Sequence, residues 1–240
     1  MYIVFICIFL LFFIYNIIPN FYYRNIYKST IKKFKTDKKN IAITFDDGPD
    51  YRYTPILLDL LKKYNVKCTF FLVAEKAYNN KELVIKIKED GHSIGLHSLK
   101  HKSAWLSFPF ETKKDFDCSI KYLSDINVKV DFIRPPWGTF NILTQYYINK
   151  YNLTTVLWSI NAADWSKKTT VDDIINKVIY RIKPGDILVL HDSNGAEGAP
   201  LKTISALEKI IPELLNEGYE FVTINQIQNN IDTTPFIKVP

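Results

Sequence analysis

Residues 40–49 read Asn-Ile-Ala-Ile-Thr-Phe-Asp-Asp-Gly-Pro. Ile41–Phe45 is apolar at nearly every position, without the alternation of a strand that has one wet face. A strand buried on both faces, as in a parallel sheet covered by helices, has this pattern. The run ends abruptly in Asp46-Asp47, and Gly48-Pro49 turns the chain. Six further runs share the character of the first: Cys68–Val73, Ser93–His97, Phe132–Pro135, Thr154–Ile160, Asp186–His191 and Glu220–Ile224. Helical patterns fall between them. Pro55–Tyr64, Lys81–Asp90, Ile174–Ile182 and Leu201–Glu217 are amphipathic; Gly91 and Gly218 stop two of them, and Thr170 and Asp173 form a capping-box pair. Seven strands separated by helices predict an α/β fold of βα repeats, either a barrel or an open sheet.

Each chemically interesting residue lies at the end of one of these runs. Asp46 and Asp47 follow the first, His97 ends the third, Arg134 ends the fourth, Asp164 follows the fifth, and His191 ends the sixth. In βα barrels the strand C-termini build the active site. Core packing alone does not account for five segments converging there.

The chain has only four histidines, two of them in His97-Ser98-Leu99-Lys100-His101. If the chain turns helical after the strand, residues four apart share a face. Two imidazoles and the Asp47 carboxylate make a three-ligand set that leaves a metal position open, as in catalytic rather than structural sites. Nitrogen and oxygen donors suit Zn²⁺, with Co²⁺ or another divalent ion as substitute. Adjacent carboxylates at a strand end point in different directions, so Asp46 is free to act as a base. In Arg134-Pro135-Pro136-Trp137-Gly138 two prolines stiffen the loop and hold the guanidinium for a directed ion pair. Trp165 beside Asp164 offers an apolar wall next to a charge. His191, at the end of a buried strand and with a carboxylate partner, suits a general acid. His92, between a helix stop and a strand, reads as structural.

Composition narrows the setting. With 240 residues, 47% of them hydrophobic, the chain can bury one sizeable core. Met1–Tyr23 carries no charge and is long enough to span a membrane. No small-residue cleavage site follows it, so an uncleaved anchor is expected. Residues 24–39 hold seven basic side chains against Asp37 alone, which accounts for the whole formal net charge of +6. They read as a juxtamembrane linker near anionic lipid. Residues 41–240 are neutral overall, which excludes nucleic-acid binding. Cys7, Cys68 and Cys118 have no metal or redox spacing, and free thiols are expected.

Taken together, these strings resemble the polysaccharide deacetylases of carbohydrate esterase family 4, the NodB-homology proteins, over about residues 40–228. The resemblance implies a deformed (β/α) barrel of about seven parallel strands and metal-dependent removal of acetyl groups from polysaccharides. It implies Asp46 as base; Asp47, His97 and His101 as metal ligands; Arg134 holding Asp46; and Asp164 pairing with His191, the acid. Pro136, Trp137 and Trp165 would line the substrate site, with the Trp137 N–H aimed at the oxyanion. Two positions depart from the family pattern: Val189 where Leu is usual, and Asn161 where an acid is common. The substrate expected is N-acetylglucosamine in a surface polysaccharide, foremost peptidoglycan. Chito-oligosaccharide, xylan, exopolysaccharide or a lipid-linked formylated sugar are alternatives, and a carbohydrate-binding pseudoenzyme is a rival of another class. A monomer is expected, with residues 40–230 as the domain and 231–240 as a tail. Positive charge after the only span favours a cytoplasmic domain, whereas this function favours the outside, and the latter is the expectation retained.

Overall fold

The apolar runs are parallel strands in the structure, a computed structural model in which residues 2–231 are described. The tail expected from 231 onward lies outside the described residues, Ile231 apart. The strands are β1 (Asn40–Asp46), β2 (Thr69–Leu72), β3 (Ser93–Leu96), β4 (Phe132–Ile133), β5 (Thr154–Thr155), β6 (Ile160–Asn161), β7 (Ile187–His191) and β8 (Glu220–Phe221). Their hydrogen-bonded order is β5-β4-β3-β2-β1-β7-β6, with β8 on β1. This is an α/β fold of parallel strands. β5 and β6 end the order, yet only four residues, Val156 to Ser159, separate them.

The chain clusters into two compact units. One contains the N-terminal helix up to Ile31, residues 72–79 and residues 95–157. The other contains residues 32–71, 80–94 and 158 onward.

In the second unit β1 is the buried centre, pairing in register with β7 from Ala42↔Ile187 to Asp46↔His191. Ile41, Ile43, Phe45, Ile187, Leu188 and Leu190 have no exposed surface. Helices cover these strands, which is why the runs show no alternation. The helix Thr54–Lys63 begins with Pro55, whose missing N–H costs nothing at that position. It buries Leu57, Leu58 and Leu61. The expected capping box is present: Thr170 Oγ1 accepts the Asp173 N–H at 3.1 Å, and Asp173 Oδ2 accepts the Thr170 N–H at 2.9 Å. His92 is structural. Its Nδ1 accepts the Cys68 N–H at 3.1 Å, and burial, followed by the Lys67 charge, pushes it down to about 4. All three cysteines are free.

In the first unit β3, β4 and β5 pair in parallel. Expected as one strand, Thr154–Ile160 divides into β5 and β6. The reason is visible at the break. The carbonyls of Val156 and Leu157 accept hydrogen bonds from Arg134 Nε (3.1 Å) and Nη2 (3.0 Å), and the Leu157 N–H donates to the Ile31 carbonyl. Carbonyls turned onto a buried guanidinium are turned away from the ladder, although the Val156 N–H still donates to the Ile133 carbonyl. The basic stretch is partly laid onto the domain: Ile31 bridges Val156 in the first unit, and in the second Phe34 is buried, with its N–H on the Gly185 carbonyl.

Gly48 shows how tightly the turn after β1 is built. A Cβ there would lie 2.4 Å from both carboxylate oxygens of Asp192. Asp192 is itself buried, and its Oδ2 accepts the Thr54 hydroxyl at 2.5 Å. Gly48→Ala is therefore expected to destabilise the fold by about 1–3 kcal/mol, as overpacking does. A urea titration checks it, and an unchanged midpoint would contradict the tight fit.

Candidate active site

In the second unit Asp46 closes β1 and His191 closes β7, and the two are paired in register on adjacent strands. Asp46 and Asp47 are almost wholly buried. Asp47 adopts φ 77°, a left-handed conformation that costs a side-chain-bearing residue on the order of 1–3 kcal/mol. His191 is clamped by Asp164, which has no exposed surface. Asp164 Oδ1 lies 2.8 Å from His191 Nδ1, and Oδ2 accepts the His191 backbone N–H at 2.8 Å and the Thr203 hydroxyl at 2.8 Å. This places the proton on Nδ1 facing the carboxylate and leaves Nε2 as the working nitrogen. Burial alone would lower the imidazole's pKa. The charge and hydrogen bond of Asp164, with the Asp46 and Asp47 charges, outweigh it and raise the pKa to about 9. His191 is therefore charged at neutral pH. Its partner is Asp164; the neighbouring Asp192 is turned onto Thr54. Ala163, before Asp164, is also left-handed, at φ 55°. Trp165 is exposed, and the Ala196 N–H donates to its carbonyl at 2.9 Å, pinning the loop after His191. Gly195 packs against the Trp165 backbone, where a Cβ would meet the carbonyl oxygen at 2.8 Å.

In the first unit the His97 N–H donates to the Leu72 carbonyl at 2.8 Å, continuing the β3 ladder. His97 Nδ1 lies 2.6 Å from the Arg134 carbonyl. A carbonyl only accepts, so Nδ1 carries the proton and Nε2 keeps a lone pair. Metal-ligating histidines are usually oriented in this way. The segment to His101 is not helical, contrary to the expectation. Ser98 (φ 66°) and His101 (φ 56°) are left-handed, and the His101 N–H donates to Ser98 Oγ at 2.9 Å. The folded-back loop brings the two imidazole centroids to 5.1 Å without a helix. Lys100 and Lys102 are drawn away to Glu75 and Glu111, each at 2.7 Å. Arg134 is fully buried. After it, Pro136 is buried and Trp137 is exposed in a left-handed turn at φ 54°, its ring 4.3 Å from that of His101.

Asp47 in the second unit offers a carboxylate oxygen, and His97 and His101 in the first offer imidazole nitrogens. The His97 tautomer and the mixed nitrogen and oxygen donor set fit a divalent cation.

Three supporting residues escaped the sequence reading. Thr203 holds Asp164 from 39 positions away. Asp115 accepts the Leu99 N–H at 2.8 Å, in the middle of the histidine loop. Burial raises the Asp115 pKa to about 6, with the Leu99 N–H and His97 pulling the other way. Arg24, at the end of the apolar helix, donates to the carbonyls of Trp137 (3.1 Å) and Gly138 (3.2 Å). Only the spacing of a local motif would have signalled them, and none is local.

Fold and strand-end chemistry define a hydrolase built on parallel βα repeats. The chain belongs to the polysaccharide deacetylase family, whose profile matches residues 33–156, and it is a polysaccharide deacetylase. A peptidoglycan-N-acetylglucosamine deacetylase of Bacillus cereus is 37% identical over 193 residues, covering 80% of this chain and 89% of the relative. The crystal structure of the Bc1960 peptidoglycan N-acetylglucosamine deacetylase, in complex with 4-naphthalen-1-yl-N-oxidanyl-benzamide, superposes with a TM-score of 0.78 at 32% identity. It covers 86% of this chain and 95% of that one. A mutant of a CE4 family pseudoenzyme with restored enzymatic activity has a TM-score of 0.74 at 26% identity, covering 85% and 72%.

Proposed function

We propose that this chain is a metal-dependent N-deacetylase acting on N-acetylglucosamine units of peptidoglycan. The observation that carries the reading is the His191–Asp164 clamp on a strand paired in register with Asp46. It offers a charged acid and a carboxylate at adjacent strand ends. The names of the related proteins favour the substrate.

In this reading Asp47, His97 and His101 hold the cation, Zn²⁺ or Co²⁺. A bound divalent ion supplies Lewis acidity to the acetamide carbonyl and acidifies water. Asp46 removes a proton from the attacking water as the C–O bond forms. Arg134 keeps that carboxylate oriented, and the Trp137 N–H donates to the developing oxyanion. His191 then gives its Nε2 proton to the nitrogen as the C–N bond breaks, releasing acetate and a free amine. An amine leaves poorly unless protonated, so this acid matters more for an amide than for an ester. Pro136 and Trp165 shape the acetyl and sugar surfaces. The helix Tyr2–Asn25, with a mean hydropathy of 2.5 over its best window, is the membrane anchor. A cell-wall substrate sets the domain outside the membrane.

The ligand assignment is tested with the full chain in detergent. His97→Ala is expected to lose bound zinc by elemental analysis, with unchanged circular dichroism. One equivalent retained in the variant would remove His97 from the ligand set. Assay of peptidoglycan, chito-oligosaccharide, acetylxylan and a lipid-linked formylated sugar side by side tests the substrate. Fastest release from peptidoglycan is expected, and preference for another member would overturn that part of the reading.

A further inference from the structure

We propose that the loop Trp105–Phe110 is a membrane wedge, seated in the lipid interface beside the N-terminal helix. The inference rests on reading that helix as a membrane anchor. It starts from how the helix is seated. The helix runs from Tyr2 to Asn25, all of it within the first unit, and its second half is the packed part. Asn16 and Pro19 are buried, Asn20 Oδ1 accepts the Phe140 N–H at 3.0 Å, the rings of Tyr23 and Phe140 lie 6.0 Å apart, and Arg24 is bound to the Trp137 loop. Tyr2–Ile14 is an unbroken run of exposed residues.

The surface beside the helix extends this apolar run. Leu106, Phe108 and Phe110 are 71%, 67% and 70% exposed, and Trp105 is partly so. The rings of Phe108 and Phe110 stack with centroids 6.1 Å apart. Trp105 meets Phe12 of the helix edge-on, with centroids at 6.5 Å. The patch is thus continuous with the apolar helix and lies level with its middle. Four large apolar side chains so close together are costly in water. Trp and Phe in this position suit a lipid interface. Sinking the patch into the leaflet covers it together with the exposed run of helix that it adjoins. His101, four positions before Trp105, and Trp137, tied to the helix by Arg24, are then held at the bilayer surface. The glycans so served are those presented next to the membrane.

The test uses the full chain with Cys7, Cys68 and Cys118 replaced by Ala. A polarity-sensitive fluorophore is placed on Leu106→Cys, on Ile8→Cys within the helix, or on Lys121→Cys, an exposed position of the helix Pro109–Asp125. Each protein is reconstituted in phosphatidylcholine/phosphatidylglycerol vesicles with and without brominated lipid. The expected result is at least twofold quenching at positions 8 and 106, and none at 121. Quenching at 8 with a water-like spectrum at 106 would overturn the wedge and leave the anchor standing. A dry but unquenched label at 106 would mean protein covers the patch, which also overturns it. No quenching at 8 would overturn the anchor and the wedge together.

Discussion

Replacing Asp46 with Asn is expected to lower kcat by on the order of 10²–10⁴-fold, the range supplied by a positioned general base, while KM, fold and metal content stay near their wild-type values. Asp46 is the last residue of β1, buried and paired in register with His191, so its position is set by the ladder rather than by a loop. Asn has the same shape and leaves that ladder intact. It cannot take a proton from water, so the loss falls on the chemical step. Asp47, held in a left-handed backbone conformation, is untouched by this change. Steady-state kinetics with elemental analysis of the same sample makes the comparison. Near-normal turnover would remove Asp46 as the base, and loss of metal would move it into the ligand set.

The second large effect is set by His191 and is read as a function of pH. Its folded pKa is raised from the ordinary 6.5 to about 9, against the lowering effect of burial, by Asp164 together with Asp46 and Asp47. An acid works only when protonated, so kcat on the acetamide should fall as pH rises through the alkaline limb. A cation at Asp47 would offset part of the carboxylate pull, so the limb of the loaded enzyme should lie below 9. Asp164→Asn removes the larger of the carboxylate contributions and should shift the limb downward, with a loss of on the order of 10²-fold or more at pH 8. An acetate ester with a good leaving group should be spared most of that loss. The same shift carries a stability signature. The contribution of the His191 charge is fully present below the unfolded value of about 6.5 and is lost as pH rises through about 9. A limb that stays in place in Asp164→Asn would dissociate the two residues.

Much of the architecture was written in local pattern. β1 and β7 are uninterrupted apolar runs because helices bury both faces, and their ends announced Asp46 and His191. The division of Thr154–Ile160 was hidden, because its cause is Arg134, about twenty residues upstream, drawing off two carbonyls. The helical spacing of His97 and His101 foretold that the two rings lie close together, but for the wrong reason. The residues meet through a folded-back loop with left-handed Ser98 and His101, and nothing in Ser-Leu-Lys announces that. Resemblance rather than spacing matched Asp164 to His191, and the 2.8 Å contact agrees. Thr203, Asp115 and Arg24 hold those groups from distant segments, and no one-dimensional pattern records such contacts.

Acetate release from purified peptidoglycan by the full chain in detergent, counted against free glucosamine amine formed, tests the central claim most directly. It is measured as isolated, after chelation, and after return of Zn²⁺. The account predicts one amine per acetate, loss on chelation, recovery with metal, and little release by Asp46→Asn in the same conditions. Release that survives chelation, or no release from the loaded and folded wild-type chain, would contradict it.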